Sequence, residues 1–283
     1  MRSHRLFLPL ILFLSPFAGQ GEPPRDKVRS PLETLTFSSL PEHAEAQEVK
    51  ARLHCLENPG PMALSAESFE LLRPADFRED GSWGLLVWIS PNESPRIPSS
   101  WEQVLVRHKL LCIGANNAGN KRDILDRIRL AVCANIEMGK RFKMDPKRMY
   151  VAGFSGGGRV ASMLGVAYAD LFTGVIPMMG VNFYTDLPSP DGKKLFPPQF
   201  IPDDEVLQIA KRSTAFVLLT GEKDFNRAET KIVLEQGFHK EGFTACRSLE
   251  IPGIGHVMPG AQWLDQALVL LERKPVGEPR HKP

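Results

Sequence analysis

The chain has only four cysteines in 283 residues, Cys55, Cys112, Cys133 and Cys246, and no two of them form a CxxC pair. That scarcity excludes a cysteine-based zinc module, while the even count permits disulfides without selecting a pairing. Strong charge is missing as well. A formal net charge of +2 excludes a nucleic-acid-binding surface of the usual basic kind. The densest basic group, Lys140, Arg141, Lys143, Lys147 and Arg148, reads as the solvated end of a helix. Internal repeats are absent, and so is a separate substrate-binding module. The longest apolar run, Leu6 to Phe17, is short for a membrane span and is interrupted by Pro9 and Pro16. Arg2, His4 and Arg5 precede it, and Ala18-Gly19-Gln20-Gly21 follow. This is the order of a secretory signal peptide. The expectation is a cleaved segment 1–21 and a mature chain, without a membrane span, that is secreted or periplasmic.

What is present is an ordinary globular composition, 42% hydrophobic and 24% charged, with length for one sizeable core. Residues 22–47, rich in proline and charge, read as a linker or surface arm. Residues 48–273 read as one domain, and 274–283 as a disordered tail. Val49, Ala51, Leu53 and Cys55 alternate with polar neighbours, which predicts a half-buried strand. A second strand is expected over 68–73. Trp83 to Ile89 is a continuous apolar run of the kind buried on both faces. Beyond it α and β alternate. Helices are expected near 100–108, over 124–139 with Ile124, Ile128, Val132 and Ile136 on one face, after residue 155, and over 203–211, 227–241 and 260–273. Strands are expected over 109–115, 148–152, 174–179, 215–220 and 244–251. The pattern is an α/β fold: about eight strands, an antiparallel start, then a mostly parallel sheet with helices on both faces.

Gly153-Phe154-Ser155-Gly156-Gly157 follows the strand 148–152 directly. Glycines two residues to either side of a serine let a sharp strand-to-helix turn form without side-chain collision, lifting the hydroxyl clear of the sheet. Ser155 is therefore a candidate nucleophile, and the Gly156 amide a candidate oxyanion donor. Such a serine needs a base, and the base needs an acid that fixes its tautomer. In open α/β sheets these groups collect beyond the carboxyl ends of strands. His256, in the glycine-rich loop Pro252 to Gly260, meets that rule; His239 falls inside a predicted helix and His281 in the tail. Asp224, in Gly221-Glu222-Lys223-Asp224 after the strand 215–220, is taken as the acid ahead of Glu222. Asn116 and Asn117 follow the strand 109–115 and are candidate substrate contacts. Trp88 and Phe154 are candidate apolar walls of the pocket.

The block Pro146 to Gly158, with Asp170-Leu171-Phe172 after it, resembles the nucleophile region of secreted α/β-hydrolase serine esterases. It is most similar to the polyhydroxybutyrate-depolymerase and feruloyl-esterase-like group, over roughly residues 83–273. The resemblance implies an α/β-hydrolase fold and cleavage of a small-molecule or polymer-borne carboxylic ester through an acyl-enzyme. It implies no metal or organic cofactor. Peptidase or acyltransferase chemistry would use the same three residues, and a non-catalytic binding protein would use the same scaffold. One departure stands out. Where that group carries a His-Gly pair supplying the second oxyanion donor, this chain has Ser90-Pro91-Asn92-Glu93. Proline has no N–H, so Ser90, Asn92 or a side chain is left to fill the role.

Overall fold

A computed structural model describes residues 30–55 and 57–273. The expected signal peptide, the first part of the 22–47 arm and the 274–283 tail lie outside the described residues. In chain order the strands are β1 (Leu32–Leu35), β2 (Phe69–Leu72), β3 (Gly84–Ile89), β4 (Leu110–Ala115), β5 (Met149–Phe154), β6 (Gly174–Met178), β7 (Leu187–Pro188), β8 (Leu195–Phe196), β9 (Ala215–Gly221) and β10 (Cys246–Ile251). The helices are α1 (Ala46–Leu53), α2 (Glu102–Arg107), α3 (Ile124–Arg141), α4 (Gly156–Ala167), α5 (Asp204–Ser213), α6 (Arg227–Ile232) and α7 (Ala261–Leu271).

Eight strands form one sheet in the order β1-β2-β4-β3-β5-β6-β9-β10. β2 pairs antiparallel with β1 and with β4, and the remaining pairs are parallel. Parallel central strands need cover on both faces, and β3 and β6 accordingly bury every residue. Successive side chains alternate between the two cores. Leu85, Val87 and Ile89 enter the larger one with α1, α3, α4 and α5, while Leu86 and Trp88 enter the smaller one with α2 and α7. β3 has β4 on one side and β5 on the other, which makes the crevice beyond their carboxyl ends the topological switch point. Among the described residues, no helix is long and apolar enough to cross a membrane.

Several expectations are corrected. Residues 49–55 do not form a strand: Ala46–Leu53 is helical, with Val49 and Leu53 buried one turn apart and Ala51 exposed. The alternation was real, but Ala, Gln, Glu, Lys, Arg and Leu are all good helix formers, and the i, i+4 pair decided the face. The 22–47 segment is not simply a surface arm, because its described part supplies the edge strand β1, registered against β2 from Leu32↔Leu72 to Leu35↔Phe69. In α3, Leu125, Ile128, Val132 and Met138 are buried while Ile124 is exposed, so the apolar stripe is rotated slightly from the predicted one. The helix after Asn226 widens into a π-helical stretch at Val233–His239. All four cysteines are free.

The far end of the sheet carries a titratable clasp. His108, buried after α2, bonds Glu272 Oε2 through Nδ1 and Asp265 Oδ1 through Nε2, each at 3.0 Å. Burial opposes its charge, yet Glu272 and Asp265 outweigh burial and raise its pKa above 6.5, while both carboxyls are held below their usual range. A raised histidine pKa gives stability that is complete below the unfolded value and is lost as pH rises through the folded one; the depressed carboxyls give stability lost as pH falls. The thermal midpoint should therefore decline as pH is raised from about 6 to about 9. His108→Leu should flatten that decline in a pH series of melting curves, and parallel profiles for the two proteins would refute the assignment.

Candidate active site

β5 ends in the middle of the sheet and turns directly into α4 at Ser155. The serine has φ 55 and ψ −118, a conformation costly for any residue with a Cβ. What holds it there is close backbone packing. A side chain on Gly153 would collide with the Gly157 carbonyl, and one on Gly157 with the Ile89 carbonyl at the end of β3. The amide of Ser155 donates to Met178 O at 2.8 Å, tying the turn to β6.

Two loops from the other side of the sheet converge on this serine. His256, between β10 and α7, has Nε2 2.9 Å from Ser155 Oγ and Nδ1 2.9 Å from Asp224 Oδ1. With Nδ1 protonated, the imidazole donates to the carboxylate and accepts from the hydroxyl. The Asp224 side chain is fully buried and accepts two further hydrogen bonds, from the Asn226 amide at 3.1 Å and from Thr220 Oγ1 at 3.3 Å. Asn226 is itself fixed, its Nδ2 donating to Met179 O at 2.9 Å. Glu222, the other acid considered, faces away and accepts from the Gly253 amide at 2.7 Å. His239 is exposed on its helix, and His281 lies outside the described residues.

Aromatic rings flank the imidazole. Phe154 is 5.2 Å from it between centroids, and Phe225 is stacked on it at 4.2 Å although 76% exposed. Such faces hold the imidazole ring in place. Phe154 thus touches the histidine as well as lining the turn, and Phe225 is a residue the sequence reading missed. An aromatic immediately after the proposed acid was its only signal.

The remaining predictions separate. Trp88 is not a pocket wall: it is 3% exposed, donates to Pro95 O at 2.8 Å and packs edge-on against Trp101. Its place in the β3 alternation turns it to the α2 and α7 face. Asn116 and Asn117 line an open groove of about 690 Å³ with Ser68, Asn92, Arg96 and Asn120. Asn116 Nδ2 donates to Ser68 Oγ at 3.1 Å. Ser90 is buried, and its hydroxyl accepts the Asn92 amide at 3.1 Å. That spends the Asn92 amide, while the Ser90 O–H keeps its proton to donate.

Arg127 of α3 braces this corner. It is 5% exposed and donates to Ala118 O at 2.8 Å, Ser90 O at 3.1 Å and Gly156 O at 3.4 Å. One guanidinium therefore pins the loop after β3, the loop after β4 and the start of α4. Burial lowers its pKa to about 10, with Glu93 opposing the shift. Nothing in the sequence pattern singled it out.

The fold is that of the α/β-hydrolases. It is similar to the feruloyl esterase module from Clostridium thermocellum complexed with sinapinate, with a TM-score of 0.54, 14% identity and coverage of 77% of this chain and 87% of that one. Thermogutta terrifontis esterase 2 phosphonylated by sarin matches with a TM-score of 0.53 and 14% identity, over 74% of this chain and 92% of that one. A protein described as a dipeptidyl aminopeptidase IV from Bacteroides ovatus matches with a TM-score of 0.55 and 13% identity over 88% of this chain, which spans only 36% of that chain's length. No family model matches the chain, and no curated protein matches it.

Proposed function

We propose that the protein is an exported serine hydrolase that cleaves carboxylic esters, with Ser155 as nucleophile, His256 as base and Asp224 as the acid that orients it. The observation that carries this reading is the unbroken hydrogen-bonded line from Ser155 Oγ through both nitrogens of His256 to the buried carboxylate of Asp224. As Oγ attacks the ester carbonyl, its proton passes to Nε2 and the carbonyl electron pair moves onto oxygen, which the Gly156 amide faces. His256 then protonates the leaving alcohol, and the acyl group stays on Ser155. Water, deprotonated by the same nitrogen, releases the acid.

Esters are favoured over amides because the feruloyl esterase module and the Thermogutta esterase, with similar folds, are named for ester cleavage. The polar groove lined by asparagines and Arg96, whose Asn120 packs against Gly156, suits an ester with a hydrophilic part, small or borne on a polymer. Export rests on the 1–21 segment. Purified protein should hydrolyse p-nitrophenyl acetate and butyrate and leave the matched anilides almost untouched. Faster turnover of the anilides would make it an amidase, and no turnover of either would overturn the catalytic reading.

A further inference from the structure

Gly156, the residue that follows the proposed nucleophile, has no side chain, and another residue occupies the space. A Cβ built there would lie 2.8 Å from Asn120 Cγ and 3.1 Å from its Nδ2, closer still to Oδ1. Asn120 comes from the loop after β4. Among the described residues, its only hydrogen bond runs from its backbone amide to Pro91 O at 3.0 Å. The carboxamide itself is unpaired and exposed to the groove.

This matters because, apart from Ser90, the loops after β3 and β4 offer few second donors. Pro91 has no N–H, the Asn92 amide is spent on Ser90 Oγ, and the Asn117 amide is spent on Glu93 O. The Asn120 carboxamide is polar, unspent and in contact with the residue whose amide is the first donor. Its backbone is held in place by the Pro91 bond and, two residues earlier, by Arg127 on Ala118 O. A half-turn about its last torsion exchanges Oδ1 and Nδ2, so the –NH₂ can take the place beside Gly156 that Oδ1 holds. A donor set in advance on a braced loop needs little reorganisation when charge develops.

We propose that Asn120 is a catalytic residue, its Nδ2 donating to the oxyanion of the tetrahedral intermediate beside the Gly156 amide. The proposal rests on the serine-hydrolase reading. As the Ser155 Oγ–carbon bond forms, the carbonyl π pair becomes the negative charge on oxygen that Nδ2–H and the Gly156 N–H share. The charge returns to the carbonyl as the alcohol leaves.

The test is a double-mutant cycle on p-nitrophenyl butyrate. Asn120→Ala should lower kcat about a hundredfold with KM nearly unchanged, as removal of one oxyanion donor does. Asn120→Asp, with the same shape but no donor and a negative charge, should lower kcat at least as far. Gly156→Ala should also reduce kcat tenfold or more, because its methyl displaces the carboxamide. In the Asn120→Ala background, where the space is empty, the same Gly156→Ala change should cost at most about twofold. Such non-additivity is the signature of a shared contact. Melting curves of all variants should stay near wild type, since Asn120 is exposed. Full kcat in Asn120→Ala and Asn120→Asp would overturn the proposal and leave the Ser90 amide as second donor, with the esterase reading intact. Wild-type protein without Ser155-dependent turnover would overturn both.

Discussion

Ser155→Ala is expected to lower kcat/KM on activated esters by roughly 10⁴-fold or more, with the thermal midpoint close to wild type. The substitution removes one oxygen whose hydrogen bond within the site runs to His256 Nε2. It leaves untouched the packing that sustains the turn, because the contacts of Gly153 with Gly157 and of Gly157 with Ile89 are backbone contacts. The Gly156 amide and the groove also remain. A small residual rate over solution is therefore expected, as in serine hydrolases stripped of the nucleophile. A loss of 10⁴ corresponds to about 5.5 kcal/mol of transition-state stabilisation, far more than any binding contact at this open site supplies. Steady-state kinetics beside a melting curve decide it, and a correctly folded variant keeping a tenth of the activity would remove Ser155 from the nucleophile role.

Asp224→Asn should have an effect of similar size, about 10⁴ in kcat, by a different route. The carboxylate accepts from His256 Nδ1, from the Asn226 amide and from Thr220 Oγ1. It donates nothing. In a carboxamide of the same shape, the arrangement with fewest clashes sets –NH₂ in the Oδ2 position against Thr220 Oγ1, which can accept, and keeps the oxygen on His256 Nδ1 and the Asn226 amide. The tautomer is then kept, but the buried negative charge that stabilises the imidazolium formed as Ser155 gives up its proton is gone. The matching control is Glu222→Gln. Among the described residues its carboxylate hydrogen-bonds only the Gly253 amide, so ester turnover should stay within about twofold of wild type, as expected for an exposed surface change. Equal losses in the two variants would contradict the assignment of the acid.

The sheet was readable where burial on both faces made the sequence monotonous. Trp83 to Ile89 and Ala215 to Thr220 have no polar face to misplace, and β3 and β9 lie there. β1 was not readable: four residues whose polar pair Glu33-Thr34 is adjacent rather than alternating gain their conformation from pairing with β2, and no local signal encodes a partner 34 residues away in the register Leu35↔Phe69. Residues 49–55 misled because alternation over so few positions is compatible with a helix whose buried pair is Val49 and Leu53. At the site, Ser155, Asp224 and His256 stood out because each follows a strand in a glycine-bearing loop, and the fold brings the three within hydrogen-bond distance. Asn120, Arg127 and Phe225 were not found. Their positions depend on where two loops cross, and an asparagine in a turn or an arginine in a helix looks the same whether or not it meets Gly156. Trp88 shows the converse, since an aromatic at the end of a strand suggests a pocket until the pleat turns it into the core.

The most direct test of an activated Ser155 is covalent labelling with a fluorophosphonate, which reacts only with a serine whose proton has a ready acceptor. Incubation of the folded protein with the probe, followed by digestion and mass spectrometry, should place one adduct on the peptide bearing Ser155. The adduct should be absent in Ser155→Ala and greatly slowed in His256→Ala. Unlabelled protein with a normal melting curve, or an adduct at another residue, would contradict the account.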